Sequence, residues 1–386
     1  MNVFEKIRAG LVTVPETPSL VVDKSIAWEN ILRVQEAVDQ SGCCLRPHVK
    51  THKMPYFTNL QLKAGAAGIT CAKVSEAEVM AAGGARDIFL AYPMVGEFRI
   101  RRALELRQKV DRLILAVDSI EGAHALEKAG AQAGVRWEVR LEIDTGARRT
   151  GVLREQAVSL AKAVAALPHL RLTGIYTFKS LVFQGQPTTD NQAAGREEAE
   201  LMYDMAQAIR QEGPDIREIS VGSTPTWLQA AQTGLVTEVR PGTYIFGDWM
   251  LTQEKCARFS QIAVRLYATV VSTPAPGYAI LDGGTKTFPM DIPLDAGTKT
   301  FPMDIPLDAA PYHYPGYAIP IGADGQPDLN LQLRRMNEEH GILTAVNGAT
   351  GLKVGQVVEL VPIHVCTAVN MQNHVFVAQD DSLEPM

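Results

Sequence analysis

Short apolar, β-branched runs recur along the chain at Pro18–Lys24, Cys44–Lys50, Ala67–Lys73, Asp87–Pro93, Arg112–Asp118, Trp137–Asp144, Leu170–Phe178, Ile216–Gly222 and Glu238–Phe246. Between most of them lie Ala/Glu/Leu-rich segments that predict helices, such as the one running to about Gln40, Ser75–Ala82 and Glu155–Ala166. Strands and helices in regular alternation argue for a parallel sheet. Eight of these strands, from Cys44 to Phe246, predict a (β/α)8 barrel, with a doubly wound open sheet as the alternative. The run Pro18–Lys24 is one strand too many for such a barrel. After Asp248 the pattern changes. Ile262–Thr273, Gly277–Asp282, Gln356–Leu360 and His374–Ala378 are β-rich, punctuated by Gly and Pro, with no helix alternating between them. They predict a mainly antiparallel β domain. The expected fold class is therefore α/β, with a barrel over residues 25–250 followed by a β domain.

Composition narrows the function classes. A length of 386 residues, 46% of them hydrophobic, is ample for a large core. A net charge of -6 argues against nucleic acid or an anionic membrane surface as partner. No apolar run approaches the roughly 20 residues of a membrane helix, and Met1–Gly10 has no signal-peptide core, so a cytoplasmic location is expected. Cys43, Cys44, Cys71, Cys256 and Cys366 are scattered and odd in number, which does not suggest a disulfide framework. Gly284–Ala296 reads GTKTFPMDIPLDA and Gly297–Ala309 repeats it letter for letter. A period present only twice is not a solenoid, and points to a tandem duplication or an artefact.

Four places carry candidate chemistry. In Leu45–Lys53, strand alternation puts Arg46, His48 and Lys50 on one face and Leu45, Pro47 and Val49 on the other. Crowded cations favour a neutral lysine, which attacks carbonyls and forms Schiff bases. An edge strand with surface lysines shows the same pattern. Gly222-Ser223-Thr224-Pro225-Thr226 follows a strand and opens a helix, which suits an anion site or an ordinary helix cap. Arg240-Pro241-Gly242-Thr243-Tyr244 lies one unit later and is placed to close the same pocket, because barrel phosphate sites sit after the seventh and eighth strands. At Glu142–Val152 small residues allow the backbone to turn near a ligand, and Arg149 is either a ligand group or a loop arginine paired with Asp144 or Glu142. His364 and Cys366, at i and i+2 of an expected strand, face one way. Imidazole with thiolate suits zinc, although a lone His-x-Cys is also common as plain packing.

Arg46-Pro47-His48-Val49-Lys50-Thr51-His52-Lys53 resembles the cofactor-lysine motif of the D-threonine aldolase/D-serine dehydratase family, pyridoxal-phosphate enzymes of the alanine racemase-like fold. The resemblance runs from about Pro18 to about Asn370. It implies that residues 1–24 join 251–386 in the β domain. It also implies a Schiff base on Lys50 and cofactor contacts from His48, Arg149, Ser223, Thr224, Gly242 and Tyr244. Further, it implies a divalent ion on His364 and Cys366: zinc, with manganese or magnesium as alternatives. The implied substrate is a small D-3-hydroxy amino acid, undergoing dehydration or, alternatively, retro-aldol cleavage or racemisation, in a homodimer. Asp282-Gly283-Gly284-Thr285-Lys286 with Asp291, and Glu338-Glu339-His340-Gly341, resemble further family segments. His340 then either lines the pocket or is a satisfied core histidine. One departure stands out. Where family members carry Thr-His and then a tyrosine, this chain has Thr177-Phe178 and Phe183, without polar tips.

Overall fold

A computed structural model describes residues 1–289, 292–295, 298–300, 316–379 and 382–386. The chain divides into two compact units, Ile31–Gly242 and Met1–Asn30 with Thr243–Met386.

The first unit is the barrel. Its parallel strands are β1 (Cys44–Leu45), β2 (Ile69–Cys71), β3 (Asp87–Pro93), β4 (Arg112–Val117), β5 (Trp137–Asp144), β6 (Leu170–Tyr176), β7 (Glu218–Val221) and β8 (Glu238–Val239). They neighbour one another in that order, and β8 pairs with β1 through Glu238 and Cys44. A parallel bridge between His48 and Thr70 joins β1 to β2 and closes the ring. Strands covered on both faces read as continuous apolar runs. Accordingly Ile88–Leu90, Leu113–Val117, Val139, Leu141 and Ile143 are buried. Local signals start the helices. Pro55 opens Pro55–Ala64 at a position where its missing N–H costs nothing, and the Asp190 carboxylate accepts the Ala193 N–H (3.0 Å) to cap Asn191–Gln211.

The outer strands stop short of their sequence limits for a shared reason. Pro47 and Pro241 have no N–H to give the ladder, so Cys44–Lys50 and Glu238–Phe246 end as strands at Leu45 and Val239. Their carbonyls stay in use: Pro47 accepts from Thr70 N–H (2.9 Å) and Pro241 from His48 N–H (3.0 Å).

Charged side chains fill one end of the interior. Asp87, Arg112, Glu138, Glu218 and Glu238 stand at or beside the first residue of their strands, the end opposite the catalytic face of such barrels. Arg46 and Arg140 reach the Glu238 carboxylate at 2.7 and 2.5 Å, and Arg46 also bonds Asp87 at 2.6 Å. Burial alone raises a carboxyl pKa, yet Arg140 and Arg46 hold Glu238 well below the usual range. Arg46 thus belongs to this ion network, and does not share a face with His48 and Lys50.

The second unit is mostly antiparallel. Ser19–Val22 pairs antiparallel with Val264–Ala275 and parallel with Phe376–Gln379. Val264–Ala275 also pairs with Val357–Pro362 and Tyr278–Leu281. The hairpin Leu331–Met336/Gly341–Ala345, which the sequence pattern does not flag, extends the sheet. Phe4, Val12, Val21, Tyr267 and Phe376 pack together in its core. Of the duplicated segment, Ile292–Asp295 in the first copy pairs antiparallel with Thr298–Thr300 in the second. Asp291 and the rest of the second copy lie outside the described residues.

Candidate active site

Lys50 sits in a one-turn 3-10 helix, Val49–Thr51, just past β1, not on the strand itself. His48 caps that turn, and its Nδ1 accepts the Lys50 N–H at 3.4 Å. Burial and then the positive charges of Lys50, Arg240 and Arg149 push His48 well below the ordinary imidazole range. His48 is therefore neutral at pH 7, with its proton on Nε2. Cations from three segments converge on one uncharged ring, which favours an anionic occupant.

The Phe178 ring carries two of those cations. Lys50 Nζ lies 5.8 Å from its centroid and the Arg149 guanidinium carbon 4.3 Å. The family's polar tip at this position is replaced by an aromatic face. Arg149 is exposed in the loop after β5 and has no ion pair with Asp144 or Glu142 among the described residues. Glu142 instead accepts from Tyr176 Oη and Thr150 Oγ1, both at 2.8 Å, and burial raises its pKa.

Ser223 and Thr224 are buried in the turn between β7 and the helix Trp227–Ala231. Gly222 opens the turn at φ +90°, a conformation glycine adopts without strain. Thr226 Oγ1 accepts the Ser223 N–H (3.2 Å), and Thr224 Oγ1 accepts the Gly242 N–H (3.2 Å). The β7 and β8 loops are thus tied to each other. Gly242 also backs directly onto the Lys50 turn, since a Cβ there would stand 2.9 Å from the His48 carbonyl oxygen. The structure brings Lys50, His48, Arg149, Ser223, Thr224 and Gly242 into one unit. Tyr244, buried in the turn Thr243–Ile245, falls in the other. A cavity of about 210 Å3 at the ends of β2 and β3, lined by Lys73, Tyr92, Phe98 and Arg99, contains none of the predicted site residues.

In the second unit, Val357–Pro362 ends before His364, and the expected strand through His364 and Cys366 is a helix instead. His364 is the N-cap of Val365–Met371 and Cys366 lies in its first turn. His364 Nδ1 is 3.0 Å from Asp248 Oδ2, which also accepts the Val365 N–H at 3.0 Å. Asp248 Oδ1 caps Trp249–Gln253 through Leu251 N–H (2.9 Å). A carboxylate on Nδ1 keeps the proton there and makes Nε2 the lone-pair nitrogen, the usual arrangement of a metal-ligating histidine. With a cysteine beside it, the donor set fits a borderline-soft ion such as zinc. No group of three or more His, Cys, Asp or Glu fit to hold a metal occurs among the described residues.

Sequence reasoning missed Asp248 as a partner of His364. Its local signal, an aspartate just before an apolar helical stretch, marks a cap and says nothing of a residue 116 positions away. Asp282-Gly283-Gly284-Thr285-Lys286 and Asn337–His340 meet through Thr285 N–H to Asn337 O (2.9 Å) and Lys286 N–H to Glu338 O (3.2 Å). His340 is exposed, not a core histidine.

Two family models match the chain, the alanine racemase N-terminal domain over residues 22–249 and the putative serine dehydratase domain over 263–378. D-threo-3-hydroxyaspartate dehydratase from Delftia sp. (strain HT23) is 33% identical over 380 residues, 96% of each chain. The chain belongs to the D-threonine aldolase/D-serine dehydratase family. Another member, D-threonine aldolase from Arthrobacter sp., is 29% identical over 372 residues, covering 96% of this chain and 90% of that one. The solved Delftia dehydratase superposes with a TM-score of 0.84 at 31% identity and 97% coverage of both chains. A D-threo-3-hydroxyaspartate dehydratase is also solved as a histidine-to-alanine mutant and as a cysteine-to-alanine mutant in the metal-free form, the two substituted positions being separated by one residue. The (β/α)8 barrel expected from the alternation of strands and helices is the barrel of the alanine racemase-like fold that the resemblance implied. No helix among the described residues is long and apolar enough to cross a membrane.

Proposed function

We propose that this chain is a pyridoxal-phosphate- and divalent-metal-dependent lyase that dehydrates D-3-hydroxy amino acids of the D-serine and D-3-hydroxyaspartate type. The observation that carries the reading is the meeting of Lys50 and Arg149 over the Phe178 ring, in the same unit as the buried hydroxyl-lined turn at Ser223 and Thr224. The His364–Asp248 pair next to Cys366 supports the metal half. The spacing of the two residues substituted in the solved dehydratase mutants matches His364-x-Cys366.

In this reading residues 25–250 bind the cofactor, residues 1–24 with 251–386 carry the metal, and the enzyme is a cytoplasmic homodimer. When bound, pyridoxal phosphate supplies an electron sink at the substrate α-carbon and the divalent ion supplies a Lewis acid toward the β-hydroxyl. Lys50 Nζ is the covalent anchor and takes the α-proton. Ser223, Thr224 and Gly242 hold the phosphate, Tyr244 assists, and His48 stays an uncharged spacer. Arg149, stacked on Phe178, would supply charge and hydrogen bonds to the bound cofactor, not a transferable proton. His364 and Cys366 bind the ion, which their soft donors make zinc in preference to manganese or magnesium.

Products decide between this and retro-aldol cleavage. D-Serine, D-threonine and D-3-hydroxyaspartate are incubated with and without a chelator. A keto acid plus ammonia, lost on chelation and restored by zinc, is the expected result. Glycine plus an aldehyde would replace the dehydratase with an aldolase, and appearance of the enantiomer alone, insensitive to chelation, would leave a racemase. Asp248→Asn is expected to weaken zinc binding about 10–100-fold, because it loosens the ring orientation of His364. Competition against a chromophoric chelator measures this, and unchanged affinity would remove Asp248 from the metal site.

A further inference from the structure

The long helix Asn191–Gln211 carries a carboxylate with no part in the roles assigned above. Glu198 has no exposed surface. One of its oxygens accepts the Thr226 hydroxyl at 2.9 Å. The other accepts the Lys179 backbone N–H at 3.2 Å. Because the Thr226 hydroxyl proton is committed to Glu198, the lone pairs of the same oxygen are turned toward Ser223, whose N–H they accept at 3.2 Å and whose Oγ lies at 3.0 Å. That fixes the turn Gly222–Thr226. Lys179, for its part, directly follows Phe178, the ring facing Lys50 and Arg149. Lys179 is itself buried and ion-paired to the neighbouring Glu197. One side chain therefore holds both the hydroxyl-lined turn and the segment that follows Phe178, which are separated by about 45 residues of sequence.

We infer that Glu198 is a positioning residue for the phosphate end of the cofactor pocket, setting the Ser223–Thr224 hydroxyls through Thr226 while its other oxygen holds the Lys179 peptide. The inference rests on the proposed pyridoxal-phosphate reading. It concerns only this chain's own atoms, and Glu198 touches neither substrate nor cofactor. A carboxylate is the right group for the task. It accepts two hydrogen bonds at once, whereas a glutamine offers one acceptor and a donor that competes for the Thr226 oxygen. Burial raises the pKa of Glu198, while the Thr226 hydroxyl, Lys179 and Arg240 oppose that rise.

The test is cofactor affinity, read without turnover. Apo-protein is titrated with pyridoxal phosphate and, separately, with pyridoxal, which keeps the aldehyde and ring but lacks the phosphate. In Glu198→Gln the dissociation constant for pyridoxal phosphate is expected to rise about 10–100-fold, the loss of a hydrogen bond to a charged group, with pyridoxal affinity unchanged. Thr226→Val should show the same phosphate-specific loss, and the double variant no more than either single one, because both act on one linkage. Thr226→Ser should restore binding. If Glu198→Gln does not fold, Thr226→Val with the Thr226→Ser rescue carries the test alone. Equal weakening of both aldehydes, or of neither, would overturn the inference. A wild-type protein that binds no pyridoxal phosphate would overturn the functional reading as well, so the two failures are told apart by the wild-type titration.

Discussion

Lys50→Ala is expected to give a folded protein that no longer fixes pyridoxal phosphate on borohydride treatment and has lost at least about 10³-fold in lyase activity. The fold should survive because Lys50 is partly exposed and contributes to its one-turn helix through the backbone. Its N–H bonds His48 Nδ1 whatever the side chain. What disappears is the amine, and with it, in the proposed mechanism, both the covalent anchor and the base for the α-proton. The effects on attachment and on chemistry should therefore coincide. Lys50→Arg separates charge from nucleophilicity. A guanidinium keeps the positive field around His48 but stays protonated and does not attack an aldehyde. It should retain cofactor affinity better than alanine while remaining unreactive. Cofactor fixed by borohydride in Lys50→Ala would place the anchor elsewhere.

The second large effect falls far from the chemistry. Glu238→Ala removes the carboxylate that Arg46, Arg140 and the Ser220 hydroxyl share. Arg46 keeps Asp87, but Arg140, with no exposed side-chain surface, is left as an uncompensated buried charge. Breaking such a pair from one side costs about 3–5 kcal/mol, which for a unit of this size lowers the melting temperature by roughly 10 °C. Replacing Arg140 and Glu238 together by methionines should recover most of that loss. A melting temperature of Glu238→Ala within about 2 °C of wild type would show that the network contributes little. The same pair sets an acid limit. The folded state holds Glu238 well below the ordinary carboxyl value of 4.5. Its contribution is therefore fully present above that value. It is lost as pH falls below it, because the unfolded chain then takes up a proton that the folded chain refuses. Unfolding midpoints in denaturant, followed from pH 7 to pH 3, should fall more steeply in wild type than in the double methionine variant.

The barrel was legible because its signals are local. Asp87–Pro93 and Trp137–Asp144 match their strands residue for residue, and the others differ only at their ends. Those differences have a cause that the apolar pattern conceals. At Pro47 and Pro241 the sequence stays strand-like while the backbone loses its donor and turns away. Lys50 is displaced by the same effect from a strand onto a 3-10 turn. The relatives of His48 in the site were partly legible, as basic residues at strand ends. Glu198 and Asp248 were not. A buried glutamate inside an amphipathic helix looks like any solvent-facing glutamate, and Asp248 looks like a helix cap. Both acquire their roles from partners distant in the chain. The hairpin Leu331–Met336/Gly341–Ala345 was hidden for another reason, since its strands carry Arg334 and Arg335 among short apolar segments and its turn holds charged residues that read as loop.

The pairing of Ser19–Val22 with Val264–Ala275 has a consequence for biosynthesis. The N-terminal strand leaves the ribosome first, yet its antiparallel neighbour is made some 240 residues later. The barrel unit, whose ring closes between Glu238 and Cys44, lies wholly in between. Translation therefore delivers every strand of the ring before the earliest strand of the chain has a mate. A nascent polypeptide arrested once Gly242 has cleared the ribosome should already protect the barrel from protease while Ser19–Val22 remains open to cleavage, or to capture by a chaperone that recognises unpaired strands.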